Sequence, residues 1–307
     1  MQSLRSRIII GLIKKRHFFQ FKLKPEVVDE NFSVEEFRRS VDRASRKSNR
    51  MPKEVEVVPT KVKDMYAEWI TPKGAPNEKV ILYIHGGGFI SGSCLTHRMH
   101  VSKFVLGSRI KALLFDYRLA PEHPYPAAVN DCVAAYLWLL EQGYLPSDIV
   151  LCGESAGGTL TLATLVALKD QGIPLPGGGV SISPVTDLTC SANSFTTNFK
   201  NDIAPLNSWS VWTGYYIGDN DPGLPWLSPL KADLKGLPPV LLCVGSSEIH
   251  LDDTVNFAKK AKEQGTRATL MVWEGMVHAF PIMSPLFPEA KKAMGDICLF
   301  IRERLAG

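Results

Sequence analysis

The chain has 307 residues, of which 45% are hydrophobic and 21% charged, and its net charge is +4. These are ordinary values for a globular protein with a sizeable core, and so small a charge gives no reason to expect nucleic acid as a partner. No apolar run approaches the ~18 residues of a membrane span, so no transmembrane segment is expected.

The first fifty residues are basic, with 13 Lys and Arg against 6 Asp and Glu. Arg5 and Arg7 resemble the start of a secretory signal, but the apolar run 8–13 is shorter than the roughly 7–15 residues that such a signal needs. A helix packed on the protein body is the favoured interpretation, and a basic amphipathic helix in weak contact with a membrane surface is the alternative. Ser33 followed by Glu36 is a capping box, which predicts a further helix through about Lys47.

From residue 55 onward, strand-like and helical patterns alternate. Strands are predicted near residues 55–58, 65–70, 80–84, 112–115, 149–152, 180–183, 240–244 and 269–273, and helices near 97–108, 127–141, 156–169, 253–264 and 289–304. Runs such as "IVLC" and "VLLCV" are apolar at nearly every position, which is typical of strands covered on both faces. The pattern predicts an α/β protein with a mostly parallel sheet of about eight strands and helices on each side.

One interval interrupts this alternation. Residues 187–239 are rich in Pro, Gly, Asn and aromatic side chains. The interval is too long for a simple loop, so we expect an insertion with short helices of its own.

A serine follows one of the predicted core strands. The segment "GESAGG" places Ser155 between the strand 149–152 and a helix, in the G-x-S-x-G pattern of a nucleophile elbow. Side chains at Gly153 or Gly157 would collide across so tight a turn. The pentapeptide alone is a weak signal, but the predicted strand, turn and helix are all present.

Three glycines follow another predicted core strand, in "ILYIHGGGF". Attack of a serine on an ester carbonyl places negative charge on oxygen, and bare backbone amides can stabilise it. We expect the amides of Gly87, Gly88 and Ala156 to form this oxyanion hole. A dinucleotide-binding fingerprint starting at Gly86 would require glycine at position 91, which is Ser91.

A catalytic serine needs a base, and the base needs a group that orients it. In α/β-hydrolases the chain order is serine, acid, histidine. His278, in the loop after the strand 269–273, is the expected base. Glu248 is the first carboxylate after the strand 240–244 and is favoured as the acid. Asp252 is the alternative, although it begins a helix, where an acidic residue usually caps.

The chain resembles the hormone-sensitive-lipase family of α/β-hydrolase carboxylesterases, particularly the bacterial ones. The resemblance covers about residue 55 to the C-terminus and rests on "HGGGF", "DYRLAPEHPYPAA", "GESAGG", "SPVTDL" and "GMVHAF". It implies the α/β-hydrolase fold, a catalytic triad and hydrolysis of short- to medium-chain esters. It also implies a helical cap, with 1–50 as its N-terminal part, 189–239 as an insertion, and 51–188 with 240–307 as the catalytic domain. Many relatives carry Asp where this chain has Glu248.

Several residues have two interpretations. Trp209, Trp212, Tyr215 and Tyr216 either line a substrate pocket or hold the cap together, since both need aromatic area. His97 and His100 are spaced to share a metal, but no carboxylate or cysteine accompanies them, so we expect packing histidines and no metal. Glu154 either tunes the elbow or is an exposed polar spacer, and the spacer is the favoured interpretation.

The six cysteines show no metal-binding or C-x-x-C spacing, which suits a reduced, cytoplasmic protein. No cofactor is implied, and a small-molecule ester is the expected partner. Monomer and homodimer are both open.

Two other functions use the same parts. An amidase or arylformamidase has the same triad, and plant gibberellin receptors resemble this fold as non-catalytic binders that have lost the catalytic histidine. The presence of His278 favours catalysis.

Overall fold

An eight-stranded sheet forms the centre of the structure, a computed structural model that describes residues 2–15, 27–29, 32–48, 50–74, 78–205 and 207–306. The strands are β1 Val55–Val62, β2 Met65–Pro72, β3 Val80–Ile84, β4 Lys111–Phe115, β5 Ile149–Glu154, β6 Gly178–Ile182, β7 Val240–Gly245 and β8 Ala268–Trp273. They lie in the order β1-β2-β4-β3-β5-β6-β7-β8. β2 pairs antiparallel with β1 and β4, and every other pairing is parallel.

Helices cover both faces of this sheet. The helices of the described residues are α1 Leu4–Lys14, α2 Val34–Ser48, α3 Cys94–Ser108, α4 Ala127–Glu141, α5 Ala156–Asp170, α6 Ser194–Thr197, α7 Ser208–Ile217, α8 Leu251–Glu263 and α9 Pro288–Leu305. Short 3₁₀ turns lie at Pro146–Asp148, Pro229–Lys231 and Phe280–Met283. One hydrophobic cluster joins the sheet to α4, α5 and α8, and a second joins it to α3 and α9. The predicted α/β-hydrolase fold is confirmed.

The central strands are apolar because both of their faces are covered. All residues of β3, β5, β6 and β7 are buried. A strand with one wet face would alternate apolar and polar residues. The carboxyl ends of β3, β5, β7 and β8 meet at one edge of the sheet, and the loops that leave these ends carry the residues predicted to be functional.

The two N-terminal helices lie in different places. α1 packs against α9, where Ser3 Oγ donates to Glu289 Oε2 at 2.9 Å. α2 lies over the loop after β3, because the Arg38 guanidinium bonds the carbonyl oxygens of Ile90 and Ala120 and pairs with Glu122 at 2.8 Å. α2 therefore contributes to the cover of this edge of the sheet, whereas α1 is braced by the hydrolase body. In the described ranges no helix is both long and apolar enough to cross a membrane.

Candidate active site

Ser155 stands between β5 and α5 in a strained conformation. Its backbone has φ 58° and ψ −126°, which residues other than glycine rarely adopt. Such a conformation costs on the order of 1–3 kcal/mol and persists only where the surroundings hold it. The Ser155 N–H donates to the Ile182 carbonyl at 2.8 Å, which ties the turn to β6.

Two glycines make this turn possible. A Cβ on Gly157 would lie 2.0 Å from the Ile84 carbonyl oxygen, and a Cβ on Gly153 would lie 2.4 Å from the Gly157 carbonyl oxygen. Both contacts are with backbone, which cannot move aside cheaply. Glycine at both positions therefore lets the elbow close against the end of β3.

The triple-glycine loop after β3 faces this elbow. Gly87 and Gly88 have φ of 121° and 65°, and a Cβ on Gly88 would lie 2.4 Å from Trp212 Cε3. Within the described chain, the amides of Gly87 and Gly88 have no hydrogen-bond acceptor. The amide of Ala156 is the first of α5, where helical amides lack an internal partner. Free donors thus lie on two sides of Ser155.

His278 contacts Glu248 on the loops after β8 and β7. The distance from His278 Nδ1 to Glu248 Oε2 is 3.1 Å. The other carboxylate oxygen, Oε1, accepts from Ser183 Oγ at 2.8 Å and from the Gly245 N–H at 2.5 Å. Ser183 Oγ also accepts from the Ala279 N–H at 3.0 Å, so one serine braces both loops. The sequence-based prediction missed Ser183, although "SPVTDL" contains it.

The carboxylate sets the charge and tautomer of His278. Burial lowers the pKa of His278, but the adjacent Glu248 outweighs this effect and holds the pKa above its ordinary value. Burial raises the pKa of Glu248, and its bond to His278 partly offsets that. Because Nδ1–H donates to Glu248, Nε2 is left as the proton acceptor. Nε2 makes no hydrogen bond with any described residue, Ser155 included, and such bonds often tighten only when substrate binds.

The two aspartates behind Glu248 brace other segments of the chain. Asp252 Oδ2 accepts the Ser194 N–H at 2.9 Å, where α6 begins. Asp253 is buried and accepts the N–H groups of Thr186 and Asp187 at 2.7 and 3.0 Å. Burial raises the pKa of Asp253 to about 6. Both aspartates lie in the first turn of α8, but their hydrogen bonds hold the start of the insertion rather than α8 itself.

Another histidine, His250, lies beside the Glu248–His278 pair. Its Nδ1–H donates to the Ser183 carbonyl at 3.1 Å, and burial lowers its pKa well below the ordinary value, so it is neutral. In the described chain, ligand atoms of Glu248, His250 and His278 lie within 4.8 Å of one another, as a metal would require. The Glu248 carboxylate already accepts three hydrogen bonds from protein donors, so we assign no metal here.

A second glutamate–histidine pair lies on the other side of Ser155. Glu154 is 2% exposed, so the expectation of an exposed spacer was wrong. Its Oε1 accepts from Gly86 N–H at 2.8 Å and lies 3.0 Å from His97 Nε2, while Oε2 accepts from Tyr83 Oη at 2.5 Å. Burial raises the pKa of Glu154, but His97 and the hydrogen bonds prevail and lower it to about 2. A charged carboxylate therefore links the elbow to the start of the glycine loop.

These groups surround one cavity of about 360 Å³. It is lined by Ser155, His278, Glu154, His97, Gly86, Gly87, Gly88, Phe37, Ile203, Ala204, Pro205, Trp209, Trp212, Ala279 and Ile282. Four aromatic residues were expected either to line a substrate pocket or to pack inside the cap. Of these, Trp209 and Trp212 lie in the wall of this cavity. Tyr216 instead stacks on Phe89 with ring centroids 4.0 Å apart, and Tyr215 packs against the core; neither lines the cavity.

A wider groove of about 760 Å³ lies at the opposite ends of the strands, beside Lys79, Lys111 and Asp148. These residues precede or open β3, β4 and β5, whereas ligands of open α/β sheets bind beyond the carboxyl ends of the strands. We therefore place the candidate site in the smaller cavity, which holds Ser155.

Comparisons with known proteins agree with this architecture. A family model described as the alpha/beta hydrolase fold matches residues 81–282. An esterase of Acinetobacter venetianus is 37% identical over 80% of this chain and 82% of its own length, and an acetyl-hydrolase of Streptomyces hygroscopicus is 41% identical over 77% and 79%. Among solved structures, EstE5 soaked with p-nitrophenyl butyrate has a TM-score of 0.90, 37% identity and full coverage of both chains. An esterase from the bacterial hormone-sensitive lipase family has a TM-score of 0.89 and 39% identity, with 99% of each chain covered.

The chain belongs to this alpha/beta hydrolase family. The resemblance to bacterial esterases of the hormone-sensitive-lipase type is confirmed, and the protein is a carboxylic ester hydrolase.

Proposed function

We propose that the protein is a serine carboxylesterase in which Ser155 is the nucleophile, His278 the base and Glu248 the acid of the triad. The proposal rests on one observation, which is that the expected nucleophile, base and oxyanion donors lie around the same cavity. A serine on a strained elbow and a histidine oriented by a buried carboxylate line this cavity. So do Gly87 and Gly88, whose amides have no acceptor among the described residues.

The geometry supports a two-step reaction. Ser155 Oγ attacks the ester carbonyl while His278 Nε2 takes its proton, and the amides of Gly87, Gly88 and Ala156 stabilise the oxyanion. Collapse of the tetrahedral intermediate releases the alcohol, which receives the proton from His278. Water then attacks the acyl-enzyme by the same route and regenerates Ser155. Glu248 stabilises the imidazolium that forms in both steps.

The cavity supports short- to medium-chain acyl esters as substrates. Its volume of about 360 Å³ is near the lower end of the roughly 300–1,000 Å³ of small-molecule sites. Trp209, Trp212, Phe37 and Ile203 make most of its wall apolar. EstE5, which is similar to this chain, has been soaked with p-nitrophenyl butyrate, an ester of this size.

Replacing Ser155 with Ala tests the proposal. We expect Ser155→Ala to lose hydrolysis of p-nitrophenyl butyrate by at least 10³-fold while its circular dichroism stays that of the parent. Activity within tenfold of the parent, in a folded variant, would remove Ser155 from the mechanism. Parallel assays with p-nitroanilides compare ester with amide hydrolysis.

We also infer weak contact between α1 and an anionic membrane surface. The outer side of α1 exposes Leu4, Ile8 and Leu12 at 72%, 56% and 50%. These residues are spaced by four, so they form one apolar stripe, and the exposed Arg5 and Arg7 flank it. Co-sedimentation with vesicles that contain anionic lipid should exceed that with neutral vesicles. It should fall when the three apolar residues are changed to Ser, and equal binding by the parent and this variant would contradict the inference.

A reducing compartment, such as the cytoplasm, is inferred from the cysteines. All six are free, and five of them are buried. Burial raises the pKa of Cys190, the half-buried one, to about 12, so its thiolate is scarce at neutral pH. Unchanged activity and melting temperature with and without a thiol reductant are expected, and loss of either under reduction would contradict this inference.

A further inference from the structure

A second cavity adjoins the active-site cavity. Its volume is about 200 Å³, and its wall includes Cys190, Phe195, Phe199 and Ile249. Ala204, Pro205 and Trp209 line both cavities. The two spaces are therefore separated by a shared wall, in which Trp209 is the largest side chain.

Trp209 is held in this wall by ring contacts. Its centroid lies 4.1 Å from that of His250, 5.6 Å from that of His278 and 6.0 Å from that of Trp212. The indole Nε1 is buried and has no hydrogen-bond partner in the described chain. Removal of the indole would therefore break no hydrogen bond and would leave no partner group unpaired.

The second cavity has the size and chemistry for a hydrocarbon chain. An apolar cavity of roughly 150 Å³ holds a benzene ring in another protein, so about 200 Å³ has room for several methylene groups. The charged group in its wall, Asp202, is already engaged, because its carboxylate accepts the N–H groups of Ile203, Ala204 and Ile249. No free charge in the described part of this wall would repel an alkyl chain.

We propose that Trp209 determines the chain-length specificity of the enzyme. The indole ends the active-site cavity and closes off the second cavity, which would otherwise take the distal part of a longer alkyl chain. This proposal rests on the proposed function, because it concerns the ester that Ser155 attacks. The alkyl chain can belong to the acyl group or to the alcohol, and the two sources are distinguished by experiment.

The test measures kcat/KM for two series of esters with Trp209→Ala. One series is p-nitrophenyl esters with acyl chains of four to twelve carbons, and the other is acetates of n-alcohols with four to twelve carbons. A methylene that enters an apolar pocket is worth roughly tenfold or more in kcat/KM. We expect the ratio of the twelve-carbon to the four-carbon ester to rise at least tenfold over the parent in one series. That series identifies the side of the ester that enters.

Refilling the second cavity provides the matched control. Phe195 lines the second cavity but not the first. Adding Phe195→Trp to Trp209→Ala should return the ratio to within threefold of the parent. Trp209→Leu, which keeps more of the apolar volume, should give an intermediate ratio and replaces Trp209→Ala if the latter fails to fold.

An unchanged ratio in both series, for a folded Trp209 variant that still hydrolyses butyrate, would overturn the proposal. So would a raised ratio that Phe195→Trp does not reverse. Neither result would contradict the role of Ser155. That role is tested separately, by hydrolysis of p-nitrophenyl butyrate in the Trp209 variant and by the loss of this hydrolysis in Ser155→Ala.

Discussion

Two buried glutamate–histidine pairs lie on either side of Ser155, and they differ in what the histidine can still do. The distances between carboxylate and imidazole are nearly equal. Glu154 Oε1 lies 3.0 Å from His97 Nε2, and Glu248 Oε2 lies 3.1 Å from His278 Nδ1. His97 has both ring nitrogens engaged, Nε2 by Glu154 and Nδ1 by Thr96 Oγ1 at 2.7 Å. In the described chain, Nε2 of His278 has no partner. A carboxylate beside an imidazole therefore does not define a triad, since the base also needs a free nitrogen.

The two carboxylates also differ in electrostatics. The pKa of Glu154 is lowered to about 2, because His97 and several hydrogen bonds outweigh burial, whereas burial keeps the pKa of Glu248 above its ordinary value. Glu154 is thus a fixed anion that holds the Gly86 amide. Because Glu248 is buried, its charged form is unfavourable on its own, and a protonated His278 stabilises it. This difference suits Glu154 to positioning the loop and Glu248 to stabilising charge that forms during the reaction.

The largest effect is expected for Glu248→Gln. The amide keeps the shape of the side chain, but its NH₂ would face His278 Nδ1 and favour the wrong imidazole tautomer. Such a change costs about 10⁴-fold in kcat. Steady-state kinetics with p-nitrophenyl butyrate measure it, and a kcat within tenfold of the parent would show that the acid lies elsewhere.

A smaller loss is expected for Glu154→Gln. Its oxygen can still accept the Gly86 N–H, but the charge opposite His97 is removed, and the glycine loop is held less firmly. Displacing one oxyanion donor costs on the order of 10²–10³ in kcat, so weakening its support should cost about tenfold to 10²-fold.

The readout that separates positioning from proton transfer is the pH profile. In Glu154→Gln, the acid limb of kcat/KM should stay close to its position in the parent, because the Glu248–His278 bond is intact. A larger loss of kcat than in Glu248→Gln would reverse the roles assigned to the two pairs.

The sequence predicted the architecture well and the second pair poorly. The central strands β3, β5, β6 and β7 were predictable because strands covered on both faces are apolar throughout. The elbow was predictable because a side chain at Gly153 or Gly157 would collide with backbone carbonyl oxygens. The burial of Glu154 depends on Gly86, Tyr83 and His97, which are distant in sequence, and no local pattern reports such partners. The aromatic residues of α7 were ambiguous for the same reason, because facing a cavity or facing Phe89 depends on packing against distant segments.

The smallest effect is expected for Asp252→Ala, at the residue weighed against Glu248 as the acid. Asp252 caps α6 through the Ser194 N–H, and loss of such a cap costs about 1 kcal/mol in the free energy of unfolding. Urea denaturation measures this cost, and kcat should stay within threefold of the parent. If Asp252→Ala lost as much kcat as Glu248→Gln, Asp252 would again be a candidate for the triad acid.

In the proposed mechanism, Ser155 is activated by His278, whose pKa is set by Glu248. The most direct test is the rate at which phenylmethanesulfonyl fluoride modifies the enzyme between pH 5 and 9, with the adduct located by peptide mass. The base must be neutral, so the rate should fall as pH falls through the raised pKa of His278, with a midpoint above the ordinary histidine value of about 6.5. In Glu248→Gln the carboxylate that raises the pKa of His278 is gone, whereas the burial that lowers this pKa remains. The midpoint should therefore move to lower pH. We expect a single adduct on Ser155 with these two midpoints. An adduct on another residue, or one midpoint shared by both enzymes, would contradict the proposed mechanism.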